Sequence, residues 1–475
     1  MAFFSPAPLP SFTNVPRNIL HLPTELILRI FLDLLLETGS SASLVPCLFT
    51  CATFYNILIG EPVLWTRLCA NIDTVNLSPD RRNIRSYWPR LHVALRLSQT
   101  LPFSFVIDLD TDHPDLTRIA PEHLYALTFA ILESDQAFMR CQELIIRSSE
   151  WQNMCDIMEP LTSAISVFPV LERIELLFVP PLPTPNKHPA GDRYFLSLLD
   201  ADAAENDVVL ADELKEYSEQ NLPNLREVVL HAIPFDWQTF SPAQLISLQV
   251  LNIPGPEFQP SCGELKQVLL LNSTTLTRLT LGTWAVAAIR VGMVQQRYTL
   301  PVLTELRFTI KNYLDFVGLV ETLNVPNLKR LAIKDDCHRF HCLEKAVEVG
   351  EFTPAAANQL RRISLDGYAV MMNYWPLEQV TDLDLCCVIF YEMDGNLISL
   401  LRPSYDKEET WEGGLPLATR FFYKFSSLVS LELWKVDATT LEAINFPPRR
   451  YNASTGLFDD ILPVFPLLPS RLQMT

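Results

Sequence analysis

Three stretches, LPNLREVVL (222–230), LPVLTELRF (300–308) and VPNLKRLAI (325–333), carry one pattern: an apolar residue, a proline, a short link, then L-x-x-L-x-L. The six-residue unit recurs as LERIEL (171–176), LREVVL (225–230), LQVLNI (248–253), LTRLTL (276–281) and LTELRF (303–308). It continues as LKRLAI (328–333), LRRISL (360–365), VTDLDL (380–385) and LVSLEL (428–433), while CQELII (141–146) keeps it more loosely. Steps between starts fall mostly at 20 to 32 residues, with two longer ones of 54 and 48. The alternating half of each unit has the period of a strand packed on one face. Neither that strand nor its return segment can bury its leucines alone, so the units must stack, and a chain of 475 residues can grow this way without one large core. The expected architecture is a parallel sheet with one open face and helices of varying length behind it.

The period and the leucine spacing resemble leucine-rich repeats over most of 102–445, starting with the strand-like PFSFVIDLD (102–110). That family places Asn or Cys three residues after the last leucine, where Val179, Ile233, Pro256, Trp284, Lys311, Asp336, Tyr368, Val388 and Val436 stand instead. The resemblance therefore implies an irregular horseshoe. Two turn-rich stretches, 180–193 and 402–416, interrupt the array as exposed loops, and the first leads into an acidic, partly helical stretch to about residue 220.

Ahead of the repeats, LPTELILRIFLDLL (22–35) predicts a helix with Pro23 in its first turn and Gly39 as its stop. Glu25, Arg29 and Asp33 form one narrow polar stripe, and nearly everything else is Leu, Ile or Phe. That is more apolar surface than a helix on one small core needs, so the helix is either wholly buried inside its own fold or shared between that fold and a partner. A second helical region follows at 43–58, then a short anchor, EPVLWTRL (61–68), whose Trp65 and Leu68 are expected to close the local core. The order LP-x-E-L-x-x-x-I-F, an apolar helix with a cysteine, then P-x-L-W-x-x-L resembles the F-box motif across Leu22 to Leu68. Ala52 and Phe54 stand where that family often has a basic residue and a tryptophan, and Pro46 falls early in the second helix. The resemblance implies a small all-α three-helix module that docks on a Skp-type adapter and through it on a cullin–RING ubiquitin ligase. The implied adapter-facing set is Leu22, Pro23, Leu26, Ile30 and Phe31, with Leu44, Leu48, Cys51 and Phe54 packing the second helix and partly reaching the adapter.

The formal charge of −18 opposes nucleic-acid backbones and anionic lipid. Ten cysteines without framework spacing, and no secretory pattern, set the expectation of reduced thiols and a cytoplasmic or nuclear location. The glycosylation-type triplets at Asn76, Asn272 and Asn452 are then chance matches. No nucleophile elbow, phosphate loop or zinc-protease motif occurs, so no catalytic residue and no cofactor is expected. Cys337, His338, His341 and Cys342 crowd into six residues, which suits a helix face better than a tetrahedral metal site. Cys386 and Cys387 are strand neighbours and should face opposite ways. On the open face, Arg278, Arg307, Arg330, Lys334 and Arg362 line up as a basic strip suited to an acidic or phosphorylated target, unless Glu227 and Glu305 neutralise it. Acidic outward positions flank it at Glu175, Asp382, Asp384 and Glu432.

The expectation is an α/β chain: a flexible leader (1–18), an F-box module (19–70), a helical connector (71–101) around Trp88, Leu91, Ala94 and Leu95, and the repeat domain (102–475). Its expected role is to hold an unknown protein target for a ubiquitin ligase. The alternative is a repeat scaffold that binds partners without ubiquitin chemistry; an unrecognised hydrolase is the most distant reading.

Overall fold

The computed structural model describes residues 19–71, 75, 87–109, 121–133, 137–165, 168–179, 222–233, 242–253, 262–282, 297–310, 313–336, 367–388, 417–434, 449–452 and 457–460. Strands β1 (Arg67–Asn71), β2 (Phe103–Asp108), β3 (Cys141–Ser148), β4 (Arg173–Phe178), β5 (Glu227–His231), β6 (Ser247–Leu251) and β7 (Arg278–Leu281) come first. They are followed by β8 (Tyr298–Thr299), β9 (Glu305–Ile310), β10 (Leu323–Asn324), β11 (Arg330–Asp335), β12 (Asp382–Cys386) and β13 (Ser430–Trp434). β8 and β10 pair with each other; the rest form one eleven-stranded sheet in strict chain order, parallel throughout. A separate antiparallel pair, β14 (Arg449–Asn452) and β15 (Leu457–Asp460), lies near the C-terminus. No helix among the described residues is long and apolar enough to cross a membrane.

The leucine spacing becomes two apolar ladders. One runs from Leu68 through Phe105, Leu144 and Ile174 to Leu383 and Leu431, partner to partner in register. The other runs two residues on, from Ala70 through Ile107, Ile146 and Leu176 to Leu385 and Leu433. All of these residues are buried, while the positions between them form the open face. Helices α3 (Pro89–Leu97), α4 (Pro121–Glu133) and α5 (Trp151–Ile165) return between the first four strands. They bury Leu91, Ala94 and Leu95, then Leu124 and Leu127, then Met154, Ile157, Met158 and Leu161. Later returns use Cys262–Leu271, Tyr313–Thr322 and Leu417–Tyr423, so helix length varies from 7 to 15 residues, as an irregular array requires.

The recurrent L-P-x-L is the strand's lead-in turn. Leu171, Leu225, Leu303, Leu328, Val380 and Leu428 each donate a backbone N–H to the carbonyl three residues earlier, on Phe168, Leu222, Leu300, Val325, Leu377 and Phe425. Pro223, Pro301 and Pro326 fill the second turn position, which their fixed φ favours. One carbonyl per unit then accepts two successive N–H groups of the next. Glu172 takes Arg226 and Glu227, Thr277 takes Thr304 and Glu305, and Lys329 takes Thr381 and Asp382. Side chains reinforce the step: the amides of Asn224 and Asn327 donate to the carbonyls of Pro169 and Pro301, both at 2.6 Å, and Gln379 reaches that of Pro326. The polar ladder sought after the strands thus lies before them.

Several expectations need correction. The unit read as LQVLNI (248–253) is displaced by three residues, because buried Leu245 leads into β6 and Leu248 and Val250 are its inward positions. The strand Arg67–Asn71, which crosses the boundary expected between the N-terminal module (19–70) and the connector (71–101), is the first strand of the sheet, and the connector helix α3 is the crossover from it to β2. The single helix read over 43–58 is two: a 3₁₀ helix Ser41–Phe49 containing Pro46, then α2 (Ala52–Gly60). Proline supplies no backbone N–H, so Pro46 is incompatible with the interior of a longer α-helix. The unit at 360–365, the loops 180–193 and 402–416 and the cluster 337–342 lie outside the described residues. β11 pairs directly with β12.

Two substitutions test this account. Replacing Asn327 with Ala leaves the Pro301 carbonyl without that donor and should cost about 1 kcal/mol, read by denaturant midpoint. Gly282 follows β7, and a Cβ there would lie 2.9 Å from Leu251 Cα and 3.2 Å from Asn252 N, so Gly282→Ala should cost about 1–3 kcal/mol by forcing backbones apart.

Candidate functional site

The N-terminal helix α1 (Thr24–Thr38) follows Pro23, and Gly39 stops it in the left-handed region at φ 67, its N–H donating to the Leu35 carbonyl at 2.9 Å. At 3.6 residues per turn its side chains sort into stripes four residues apart. Glu25, Arg29 and Asp33 form the polar one, with an Arg29–Asp33 ion pair at 3.0 Å. Ile27, Phe31 and Leu35 form the buried one. Between them lies an apolar stripe in solvent: Leu26 and Ile30 are 51% and 40% exposed, continued by Leu22 at 37% and exposed Pro23.

The buried stripe is held by the rest of the module. Phe31 meets Phe54 edge to face at 5.1 Å, and Leu44, Leu48 and Leu58 pack within the same core. Cys51 caps α2, its sulfur accepting from the Phe54 N–H at 3.5 Å. Trp65 is fully buried and donates its indole N–H to the Leu58 carbonyl at 2.7 Å, so it closes the local core as its sequence position indicates. Leu68 does so from the sheet, as the inward residue of β1. The nine residues of the implied adapter set therefore separate. Leu22, Pro23, Leu26 and Ile30 share one exposed surface, Cys51 is half-buried, and Phe31, Leu44, Leu48 and Phe54 are interior. Phe31 is the displaced one: four residues from both Ile27 and Leu35, it must follow them inward.

The open face differs from the basic strip read in the sequence. Its first row, strand by strand, is Arg67, Ser104, Glu143, Arg173, Glu227, Ser247, Arg278, Glu305, Arg330, Asp382 and Ser430. Opposite charges alternate across it. Arg278 pairs with Glu227 at 2.5 Å, Arg307 with Glu305 at 2.7 Å, and Lys334 with Asp336 at 3.0 Å. Arg330 lies between Glu305 at 3.8 Å and Asp382 at 3.9 Å. Arg362 lies outside the described residues. Neutralisation by Glu227 and Glu305 is what the fold produces: stacking brings Glu227 to Arg278 and Glu305 to Arg330, while Arg307 and Lys334 pair with acidic residues two positions away in the chain. Arg147 and Arg173, absent from the strip expected from sequence, clamp the nearly buried Glu175 at 3.5 and 2.5 Å. Outward residues at strand positions were the signal that could have found them.

At the far end the face turns acidic. Asp384 and Glu432 are register partners on β12 and β13. Burial and then Glu432 hold the Asp384 carboxyl above its ordinary value, against the pull of Arg307. Asp384 is therefore protonated more readily in the folded state than in the unfolded chain. Its contribution opposes folding fully above the raised pKa, shrinks as pH falls through that value, and is gone below the ordinary carboxylate value. Asp384→Asn should raise the melting temperature at pH 7, with the difference closing toward pH 3.

Asn272 is fully buried: its side-chain oxygen accepts from the Leu245 N–H at 2.6 Å, and its amide donates to Pro242 and Val268 carbonyls at 2.7 and 2.8 Å. It has no free amide for a glycan. Cys386 and Cys387, expected to face apart, have sulfurs 3.7 Å from each other.

No family model matches this chain, and no curated protein is similar to it in sequence. Among solved structures, a chain in the crystal structure of the Rad7 and Elc1 complex in yeast aligns over 74% of this chain and 81% of its own length, at 12% identity and a TM-score of 0.25. That likeness is too slight to carry an argument.

Proposed function

We propose that this chain is the target-recognition subunit of a cullin–RING ubiquitin ligase. In this reading an F-box module spanning Leu22 to Leu68 docks on a Skp-type adapter, and a leucine-rich-repeat-like sheet holds the protein target. The observation that carries it is the divided surface of α1: Ile27, Phe31 and Leu35 anchor the helix, while Leu22, Pro23, Leu26 and Ile30 remain an exposed apolar stripe. Contiguous exposed apolar surface of this kind marks a docking face. The motif order quoted above supplies the identity of the adapter.

The mechanism is proximity. The chain contributes no catalytic residue; it fixes the target near the ubiquitin-charged enzyme and raises the local concentration of the target's lysines. Rigidity matters for that, because a loose joint between the two binding surfaces would dilute the effect. Module and sheet are joined without slack: β1 begins two residues after Trp65, and the Arg67 N–H donates to Ser41 Oγ at 3.1 Å. We assign the target to the open face as a whole, where both signs of charge alternate, rather than to a purely basic strip.

Co-expression of the full chain with a Skp-type adapter tests the reading. Wild type should retain adapter through size exclusion. The double change Leu26→Asp with Ile30→Asp should lower retention at least tenfold, with a thermal midpoint near wild type because both side chains are exposed. If wild type retains no adapter, the ligase reading falls and a repeat scaffold without ubiquitin chemistry takes its place. Equal retention by the double variant would remove the assigned docking stripe.

A further inference from the structure

We propose that Cys386 and Cys387 form a vicinal dithiol site that chelates a trivalent arsenical, a soft, three-coordinate thiophile. Neighbouring residues of a strand ordinarily point to opposite faces. Here the fold overrides that rule at a corner used more than once. Ala232 after β5, Asn252 after β6 and Cys387 after β12 all sit immediately past a strand end with positive φ, at 54°, 51° and 58°. At two of these corners the residue's N–H donates to the next strand's last residue: Ala232 to the Leu251 carbonyl and Cys387 to that of Trp434, both at 2.8 Å. The array imposes the left-handed turn, and at 386–387 it swings the second sulfur to 3.7 Å from the first.

Three features select the ligand. The first is span. A disulfide needs an S–S bond of about 2.05 Å and usually Cα atoms at least about 4.4 Å apart, whereas a trans peptide holds adjacent Cα atoms at about 3.8 Å. One bridging atom with two single bonds to sulfur spans the observed separation instead. The second is reactivity. Burial, then the Cys387 thiol, push the Cys386 thiol up to about 11, so it is held protonated at pH 7 and attack on peroxide is slow. An arsenical needs no oxidant, because its oxygen leaves as water with the two thiol protons. The third is access and number. Cys386 is half-buried and Cys387 buried, so the ligand meets Cys386 first and Cys387 closes the ring. Among the described residues no group of three His, Cys, Asp or Glu could hold a metal ion, so a ligand satisfied by two thiols fits best.

The step balances without an oxidant. With phenylarsine oxide, two S–H bonds and the As–O double bond break, two As–S bonds form, one water leaves, and arsenic stays trivalent. The site stands independently of any ubiquitin role.

The test uses the full reduced protein with one equivalent of phenylarsine oxide, native digestion and mass mapping. The expected result is one phenylarsenic group bridging Cys386 and Cys387, kept in excess glutathione and released by 2,3-dimercaptopropanol. Cys387→Ser and Cys387→Gly should each lose retention against glutathione at least tenfold; the glycine variant suits the positive φ, so a folding defect cannot explain both. Arsenic mapped to other cysteines in wild type would overturn the proposal. So would glutathione-resistant arsenic on Cys386 in either variant.

Discussion

Everything in this chain rests on the inward residues of neighbouring strands meeting in register. A strand of five or six residues with two inward apolar side chains buries too little on its own to offset the ordering of its backbone. Repeated through eleven parallel strands, the same two positions become continuous ladders, and each strand is stabilised by the ones beside it. The carbonyl shared between two N–H groups of the following unit fixes where each strand begins. The amides of Asn224, Asn327 and Gln379 then tie that starting point to the unit before. Apolar burial supplies the stabilisation, and the lead-in turn supplies the register.

The same logic explains how the N-terminal module joins the array. A stack of parallel strands has a first member with one edge unserved, and such an edge invites misassembly. Here Ser41 takes the Arg67 N–H, and Trp65 and Leu68 bury their bulk between the module and the sheet. The helices ahead of β1 therefore cap the array while leaving one stripe of α1 in solvent. Capping uses one side of this small unit and the exposed stripe of α1 lies on another, so its helix carries more apolar surface than its own core consumes.

Charge on the open face follows from stacking too. Side chains two residues apart on a strand and those directly across from them lie close together, so a row is read across units. Arg147, Glu175, Arg173, Glu227 and Arg278 form one connected series in which the guanidinium groups satisfy the carboxylates. In a chain of net charge −18 this leaves the middle of the face nearly balanced and its far end, at Asp384 and Glu432, acidic.

Much of this was legible in the sequence. The period-two apolar residues predicted the described main-sheet strands from β2 onward, β6 with its unit three residues out of place, Gly39 marked the end of α1, and the polar stripe Glu25–Arg29–Asp33 left room for a second apolar surface. What failed, failed for one reason: sequence spacing ranks neighbours along the chain, whereas the outcome depended on neighbours across it. Phe31 went inward because Phe54 waits there. Arg330 lost its free charge to Glu305 on the preceding strand and to Asp382, a residue 52 positions away. Cys386 and Cys387 came together because a corner set by the next strand turned the backbone left-handed. Alternation along the chain is enough to require that parallel strands stack; which side chains meet follows from the register between strands, which hydrogen bonds and packing set and no local pattern contains.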